Sequence, residues 1–479
     1  MRRIPALVLT LVAIIAAVIV DRSRPDDGAV ATPFASERET WMPAVSQGPG
    51  AVNWYCPGVP ADGDDSGGGV VIANTTNAVL TGRYEVLTPD GAVESEVIDL
   101  PAYERLEIDV GEIADAPYAT VVAELATNGA IVEQRAVDAG ADHVAPCATQ
   151  TSDRWYLADG FTLDDSSDEL VITNPYDSDA VASLSLVTDQ GALTPAAFQG
   201  FPVPARSVLA VDIAELGVQD EAIAGVELTA TTGQVVLGRA QRFEGDERGG
   251  FTMTLAAPTL AGQWWFTVGE VAEGVVEEYR ILNPGDADVV VTASALGAAP
   301  TGEVTAPTEI VAAAGRVTTF DAADMEGLAE GPHSMVFSTV DVPGVVVERV
   351  LTRTGTLGTA TSVSLGGLAR PDGFVANNWY VVTSPEGATD EALVLYNTVS
   401  ADANVEIRSM TEAGFLPILG LDRIRIPPNG RIAIDLDERR ALGRTLLVSS
   451  TRQIFVERQI PRDGPLGGAT TAWAIPLDA

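Results

Sequence analysis

One succession of landmarks occurs four times in this 479-residue chain, and it constrains the fold more than any other feature. An aromatic pair recurs as Trp54-Tyr55, Trp155-Tyr156, Trp265-Phe266 and Trp379-Tyr380. Downstream of each pair an Asn closes an apolar run: Asn74 in VVIANTT, Asn174 in LVITNPY, Asn283 in YRILNPG and Asn397 in LVLYNTV. A second run and a turn signal follow, as Pro89-Asp90-Gly91, Asp189-Gln190-Gly191, the stretch from Gly297 to Gly302, and Glu412-Ala413-Gly414. A Val-rich run ending in charge comes last: IVEQR with Glu133 and Arg135, VVLGR with Arg239, VVVER with Glu348 and Arg349, IFVER with Glu457 and Arg458. Self-similarity at a fixed period is the signature of one structural unit repeated along the chain.

Inside each copy, short runs rich in Val, Ile and Thr lie between Gly, Pro, Asn and Asp clusters, which is the pattern of strands joined by tight turns. The 46 Gly and 29 Pro fit that pattern better than long helices. About seven or eight strands in roughly 100 residues is the size of an immunoglobulin-like β-sandwich. The expectation is therefore an all-β chain of four tandem sandwiches, over 54–150, 151–262, 263–373 and 374–479. The alternative is a β-propeller with two four-stranded blades per unit, disfavoured because no half-unit repeats.

Several recurrent residues have structural explanations. An acidic pair three residues apart follows one strand in every copy: Asp109 and Glu112, Asp212 and Glu215, Asp321 and Asp324, Asp435 and Glu438. That spacing suits a helix N-cap and its partner, so one short helical turn is expected per copy. The Glu and Arg at the end of the Val-rich run are expected to fix strand register as a local ion pair, although Gly238 replaces Glu in the second copy. The two cysteines, Cys56 and Cys147, stand at the ends of the first copy and are expected to form a disulfide.

Compartment follows from the N-terminus. Arg2 and Arg3 precede an uncharged stretch from Ile4 to Val20, which Asp21, Arg22 and Arg24 end. Seventeen residues make about 25 Å of helix, at the short end of a bilayer span. Residues 1–20 are expected to be a signal anchor that places the bulk of the chain outside a single-pass cell membrane, with 21–53 as a stalk. An A-x-A site at Ala29-Val30-Ala31 leaves cleavage as the alternative. The net charge of −39, with 67 acids against 28 basic residues that are all Arg, repels phosphate backbones and excludes nucleic acid as a partner.

No catalytic constellation emerges. The two histidines, His143 and His333, fall in different copies and are expected to be solvated or turn residues, too few for a triad or a zinc centre. Neither a phosphate loop nor a dinucleotide fingerprint is present, so no cofactor is expected. Acids do gather between each aromatic pair and its Asn: Asp62, Asp64 and Asp65; Asp164, Asp165, Asp168 and Glu169; Glu270, Glu273, Glu277 and Glu278; Glu386, Asp390 and Glu391. They read as solvated loops, with Asp62, Asp64 and Asp65 as weak calcium candidates. The aromatic pairs read as packing residues, with stacking on sugars as the alternative.

The succession of WY, then NP or NT, then VER on a membrane-anchored acidic chain resembles a family of uncharacterised secreted proteins of high-GC Gram-positive bacteria, a domain of unknown function. The resemblance covers the whole outward-facing part and implies location and architecture, with no catalytic residues to carry over. The expected function is a non-enzymatic envelope scaffold or adhesion-type module that meets an envelope protein or glycan. The alternative is a cell-wall glycan-binding accessory to a polysaccharide enzyme.

Overall fold

The computed structural model describes residues 43–45, 50–61, 66–138, 141–297, 305–341, 343–355, 358–368, 376–385, 391–461 and 469–477. The proposed anchor at 1–20 and the calcium candidates Asp62, Asp64 and Asp65 lie outside the described residues. Among those described, no helix is long and apolar enough to cross a membrane.

The structure is all-β. In the first repeat eight strands follow one another: β1 (Val52–Ala61), β2 (Ser66–Asn74), β3 (Leu80–Thr88), β4 (Gly91–Leu100), β5 (Arg105–Asp109), β6 (Ala116–Leu125), β7 (Ala130–Asp138) and β8 (Ala141–Pro146). They divide into two open antiparallel sheets, ordered β1-β6-β3-β4 and β5-β2-β7-β8. The inward residues of both sheets, among them Trp54, Val86, Val121, Ile72 and Val132, share one core. The same orders recur in the later repeats, with the fourth strand broken into short pieces in the second (Ala192–Leu193, Phe201–Val203) and fourth (Gly414–Pro417, Ile424–Ile426). Among the described residues no sheet closes into a barrel, and the two sheets of a repeat face one another over a shared core where propeller blades would stand separately around an axis, so the propeller alternative is not what the chain adopts.

The recurrent Asn explains why the strands stop where they do. Asn74 Nδ2 donates to the carbonyl of Ala78 (2.8 Å) and, across the sandwich edge, to that of Leu100 at the end of β4 (3.1 Å). Asn174 repeats the pair with Ser178 (2.9 Å) and Val203 (3.0 Å), Asn283 with Ala287 and Ala312 (both 2.9 Å), and Asn397 with Ala401 (2.7 Å) and Ile426 (3.3 Å). Each Oδ1 accepts the backbone N–H two residues on, at Thr76, Tyr176, Gly285 and Val399. One buried amide thus closes a turn and ties the two sheets together, satisfying backbone groups that would otherwise be orphaned.

The expected capping turns form in part. Asp212 accepts from Ala214 N (2.9 Å) at the head of a 3-10 turn, Ile213–Leu216, and Asp321 from Ala323 N (2.8 Å) at Ala322–Asp324. In the fourth repeat Asp435 accepts from Glu438 N (2.9 Å) in a turn that does not wind into a helix. The first repeat has a plain turn there, containing Gly111.

The repeats pack in a closed cycle. The last strands, β8, Gly250–Leu255, Gly358–Leu365 and Ala469–Trp473, face one another around a cavity of about 30 Å³ lined by all four. Trp473 Nε1 donates to Leu365 O (2.9 Å), Thr361 N to Gly249 O (2.8 Å), and His143 meets Phe251 edge-on at 5.1 Å. The fourth repeat returns to the first through Val144, Ile460 and Ala472 and through a bridge between Val45 and Leu477.

Candidate functional site

The residues that carry charge into the interior sit where one repeat meets the next. Strand register identifies three equivalent positions. On the seventh strands, Glu133, Gly238, Glu348 and Glu457 face Val71, Val171, Arg280 and Val394 of the second strands. The following residues, Gln134, Arg239, Arg349 and Arg458, form the second set. Six residues before the recurrent Asn stands the third: Gly68, Asp168, Glu277 and Glu391.

Successive residues of a strand point to opposite faces. The Glu therefore leaves its own repeat and enters the preceding one, where it meets that repeat's Arg. Arg239 Nη2 lies 2.8 Å from Glu348 Oε1, Arg349 Nη2 2.9 Å from Glu457 Oε1, and Arg458 Nη1 3.1 Å from Glu133 Oε2. All six side chains are buried. In two of the three the second carboxylate oxygen receives backbone N–H groups that leave the preceding repeat's first-strand ladder: Glu348 accepts from Ala158 N and Asp159 N (both 2.7 Å) just past the strand end, and Glu457 from Thr267 N (2.8 Å) and Val268 N (3.0 Å) at a bulge within Gln263–Val271. The ion pairs are inter-repeat clasps, which corrects the expectation of a local register pair.

At the junction of the first and second repeats both charges are missing. Gln134 stands where the Arg would be and Gly238 where its Glu would be. A Cβ at Gly238 would lie 2.7 Å from Pro57 O and 2.8 Å from Pro57 Cγ, so β1 fills the space that a carboxylate takes elsewhere. Arg135, assigned from sequence to the repeated Arg position, is one residue out of register; it donates instead to Val382 O (3.3 Å) and Thr383 O (3.1 Å) of the fourth repeat.

The aromatic pairs need a similar correction. Trp54, Trp155, Trp264 and Trp379 are the equivalent buried residues, with Trp264 and not Trp265 in the first position. Their indoles donate to Val235 O (2.9 Å), Val345 O (2.8 Å) and Ile454 O (2.9 Å) in repeats two to four. Tyr55, Tyr156, Trp265 and Tyr380 hold the second position, each bridged to the chain after its repeat's last strand. Trp265 also packs across the junction on Tyr396 and Phe455. Burial removes the pairs as sugar-stacking platforms.

Three acids expected on solvated loops are interior instead. Asp168, Glu277 and Glu391 are buried, whereas Asp164, Asp165 and Glu273 are exposed; Glu386 and Asp390 lie outside the described residues. Glu391 joins Arg458 (2.9 Å). Glu277 accepts from Tyr279 Oη and lies 3.2 Å from His333 Nε2. Burial would raise Glu277, but His333 and Arg349 hold it below the usual carboxylate range. Among the described residues the Asp168 carboxyl has only Gln241 as hydrogen-bond partner (3.1 Å), and burial pushes it up to about 8. Both histidines prove to be buried strand residues, not solvated ones.

Asp159, at the end of the second repeat's first strand, is the most heavily compensated acid. Arg248 binds it in fork geometry (3.0 and 3.1 Å), and Arg280 of the third repeat lies 3.4 Å away. Burial opposes ionisation, yet the two guanidinia hold the carboxyl well below its ordinary range. The Asp159 cluster backs a cleft of about 580 Å³ between repeats two and three, lined by Phe161, Asp246, Arg248, Glu278, Arg280 and Thr354 among others. Among the described residues no group of His, Cys, Asp and Glu converges as a metal site. Cys56 and Cys147 are bonded, closing 91 residues of the first repeat.

No curated protein matches the chain. Among solved structures, Thermotoga maritima 1070 aligns with 22% of this chain and 93% of its own at 16% identity and a TM-score of 0.21. A β-glucuronidase from Ruminococcus gnavus aligns with 75% of this chain at 9% identity and a TM-score of 0.13. This chain spans 41% of that enzyme, and likenesses this weak carry no argument about fold or activity. A family model matches residues 132–237 and 227–476, covering most of the seventh strand and all of the eighth in the first repeat and nearly all of the other three. The chain belongs to the family of unknown function DUF5719.

Proposed function

We propose that this chain is a non-enzymatic, outward-facing envelope protein of a high-GC Gram-positive bacterium, anchored through residues 1–20, whose four sandwich repeats act together as one interaction body. The observation that carries the reading is the set of buried Arg–Glu clasps running from repeat to repeat, Arg239–Glu348, Arg349–Glu457 and Arg458–Glu133. All six side chains are buried and engaged with one another across the junctions, and Glu348 and Glu457 also accept backbone N–H groups, so they serve to hold repeat to repeat and are closed to a substrate. The arrangement favours a fixed display surface over reach, because a closed cycle does not extend as a rod. The His333–Glu277–Tyr279 group, the best acid–base candidate by residue type, is enclosed, with all three side chains buried.

The test is in-cell cross-linking of the full chain with fractionation of membrane and wall. Recovery in the membrane fraction with a reproducible cross-linked envelope protein supports the proposal. Cytoplasmic recovery, or turnover of a wall polysaccharide by the purified chain, overturns it.

A further inference from the structure

The cleft between repeats two and three is built from departures from the repeat, and departures carry what architecture does not require. At the position of Asp159 the other repeats have Gly58, Val268 and Thr383; at that of Arg280 they have Val71, Val171 and Val394. The junction of repeats three and four closes with its Arg–Glu clasp and no such cluster. Burying a carboxylate with two guanidinia adds a desolvation cost to that of the clasp itself. Here the cost is met twice over, by Arg248 forked on Asp159 and stacked on Phe161 at 4.4 Å, and by Arg280, which also donates to Glu278 (2.8 Å) and Thr319.

The result is a mixed donor–acceptor wall. Phe161, Arg248 and Arg280 are buried and held by their partners, while Asp246, Glu247, Thr319 and Thr354 are exposed around them. The volume of about 580 Å³ lies within the range of small-molecule sites. An anion would meet guanidinia already neutralised by Asp159 and Glu278, beside the free carboxylates of Asp246 and Glu247. A metal ion finds no convergent ligand set among the described residues. We propose that this cleft binds an uncharged, polyhydroxylated ligand, one or two sugar rings in size, through Glu278, Asp246 and the threonine hydroxyls, which the two buried guanidinia back and orient. This goes beyond the scaffold role and stands or falls apart from it.

The test is calorimetry and saturation-transfer NMR on the full chain in detergent, with glucose, galactose, mannose, N-acetylglucosamine and their di- and trisaccharides as probes. At least one uncharged probe should bind saturably. Thr354→Trp, which fills the cleft from an exposed position, should weaken that probe about tenfold or more with an unchanged thermal midpoint. Asp246→Trp, from the loop facing it, decides the matter if Thr354→Trp does not fold. No saturable binding of any uncharged probe, binding of glucuronate or glucosamine alone, or binding indifferent to the blocking variant that folds, would overturn the proposal.

Discussion

The junction between repeats three and four and the junction between repeats one and two solve the same packing problem by opposite means. At the former, Glu457 enters the third repeat, meets Arg349 at 2.9 Å and receives the N–H groups of Thr267 and Val268. At the latter there is no charge in either position: Gln134 is buried with no side-chain hydrogen-bond partner among the described residues, Gly238 lies against Pro57, and the polar links are a Thr120–Thr173 hydroxyl contact of 2.7 Å and the partly exposed Arg206–Glu85 ion pair. A buried ion pair is thus not required for a junction to close. What is required is that both partners be present or both be absent, since a lone buried charge is far more costly than a neutral, well-filled gap.

The largest expected effect tests that rule directly. Glu457→Ala leaves Arg349 buried without its partner and should destabilise the chain by about 3–5 kcal/mol in chemical denaturation. Adding Arg349→Gln, which imitates the neutral junction, should restore part of the loss; a double variant no more stable than the single would break the comparison. Next, Gly238→Ala pushes a methyl group onto Pro57 and should cost about 1–3 kcal/mol, whereas the same unfolding assay on a half-buried glycine at a hairpin such as Gly91, with nothing near its Cβ position, should register only the strain of its positive φ.

A third prediction concerns pH. Burial pushes the Asp168 carboxyl from an ordinary 3.8 up to about 8, so the folded state keeps its proton after the unfolded state has lost it. Its contribution to stability is therefore present at about pH 4 and falls progressively as pH rises towards 8. Asp168→Asn, which cannot ionise, should flatten that decline and exceed the parent in stability at pH 8, as read by chemical denaturation across the pH range. Parallel pH profiles for the two proteins would show that Asp168 is ionised in the fold. The smallest effect separates the first repeat from the second. Trp155→Phe loses a buried indole hydrogen bond to Val235 O, and Trp54 Nε1 has no such partner, so Trp155→Phe should cost about 1 kcal/mol more than Trp54→Phe in thermal unfolding.

Much of the local structure was legible in the order of residues. The Asn that ends a Val/Ile run is a turn-former with a side chain able to satisfy two carbonyls, and in all four copies it does so. The aromatic pairs announced core positions, although two adjacent tryptophans, Trp264 and Trp265, left the third pair ambiguous by one residue. The same ambiguity misplaced Arg135, because IVEQR carries a Gln at the position where its relatives carry Arg. Counting landmarks cannot resolve a shift of one residue, and in a strand such a shift moves a side chain to the opposite face.

The sequence by itself determined the strand content, the repeat and the turns, because these depend on period-2 patterning and on residues whose conformational preferences act over a few bonds. It also showed which residues were charged. It did not show that Asp168, Glu277 and Glu391 are interior, or that Glu348 belongs with Arg239 and Glu457 with Arg349. Those pairings join residues more than a hundred positions apart across surfaces that exist only once the sandwiches have formed. The tertiary structure alone decided the closure of the cycle and the Asp159 cleft, since the energy of a buried charge depends on which partner arrives beside it and how completely water is excluded.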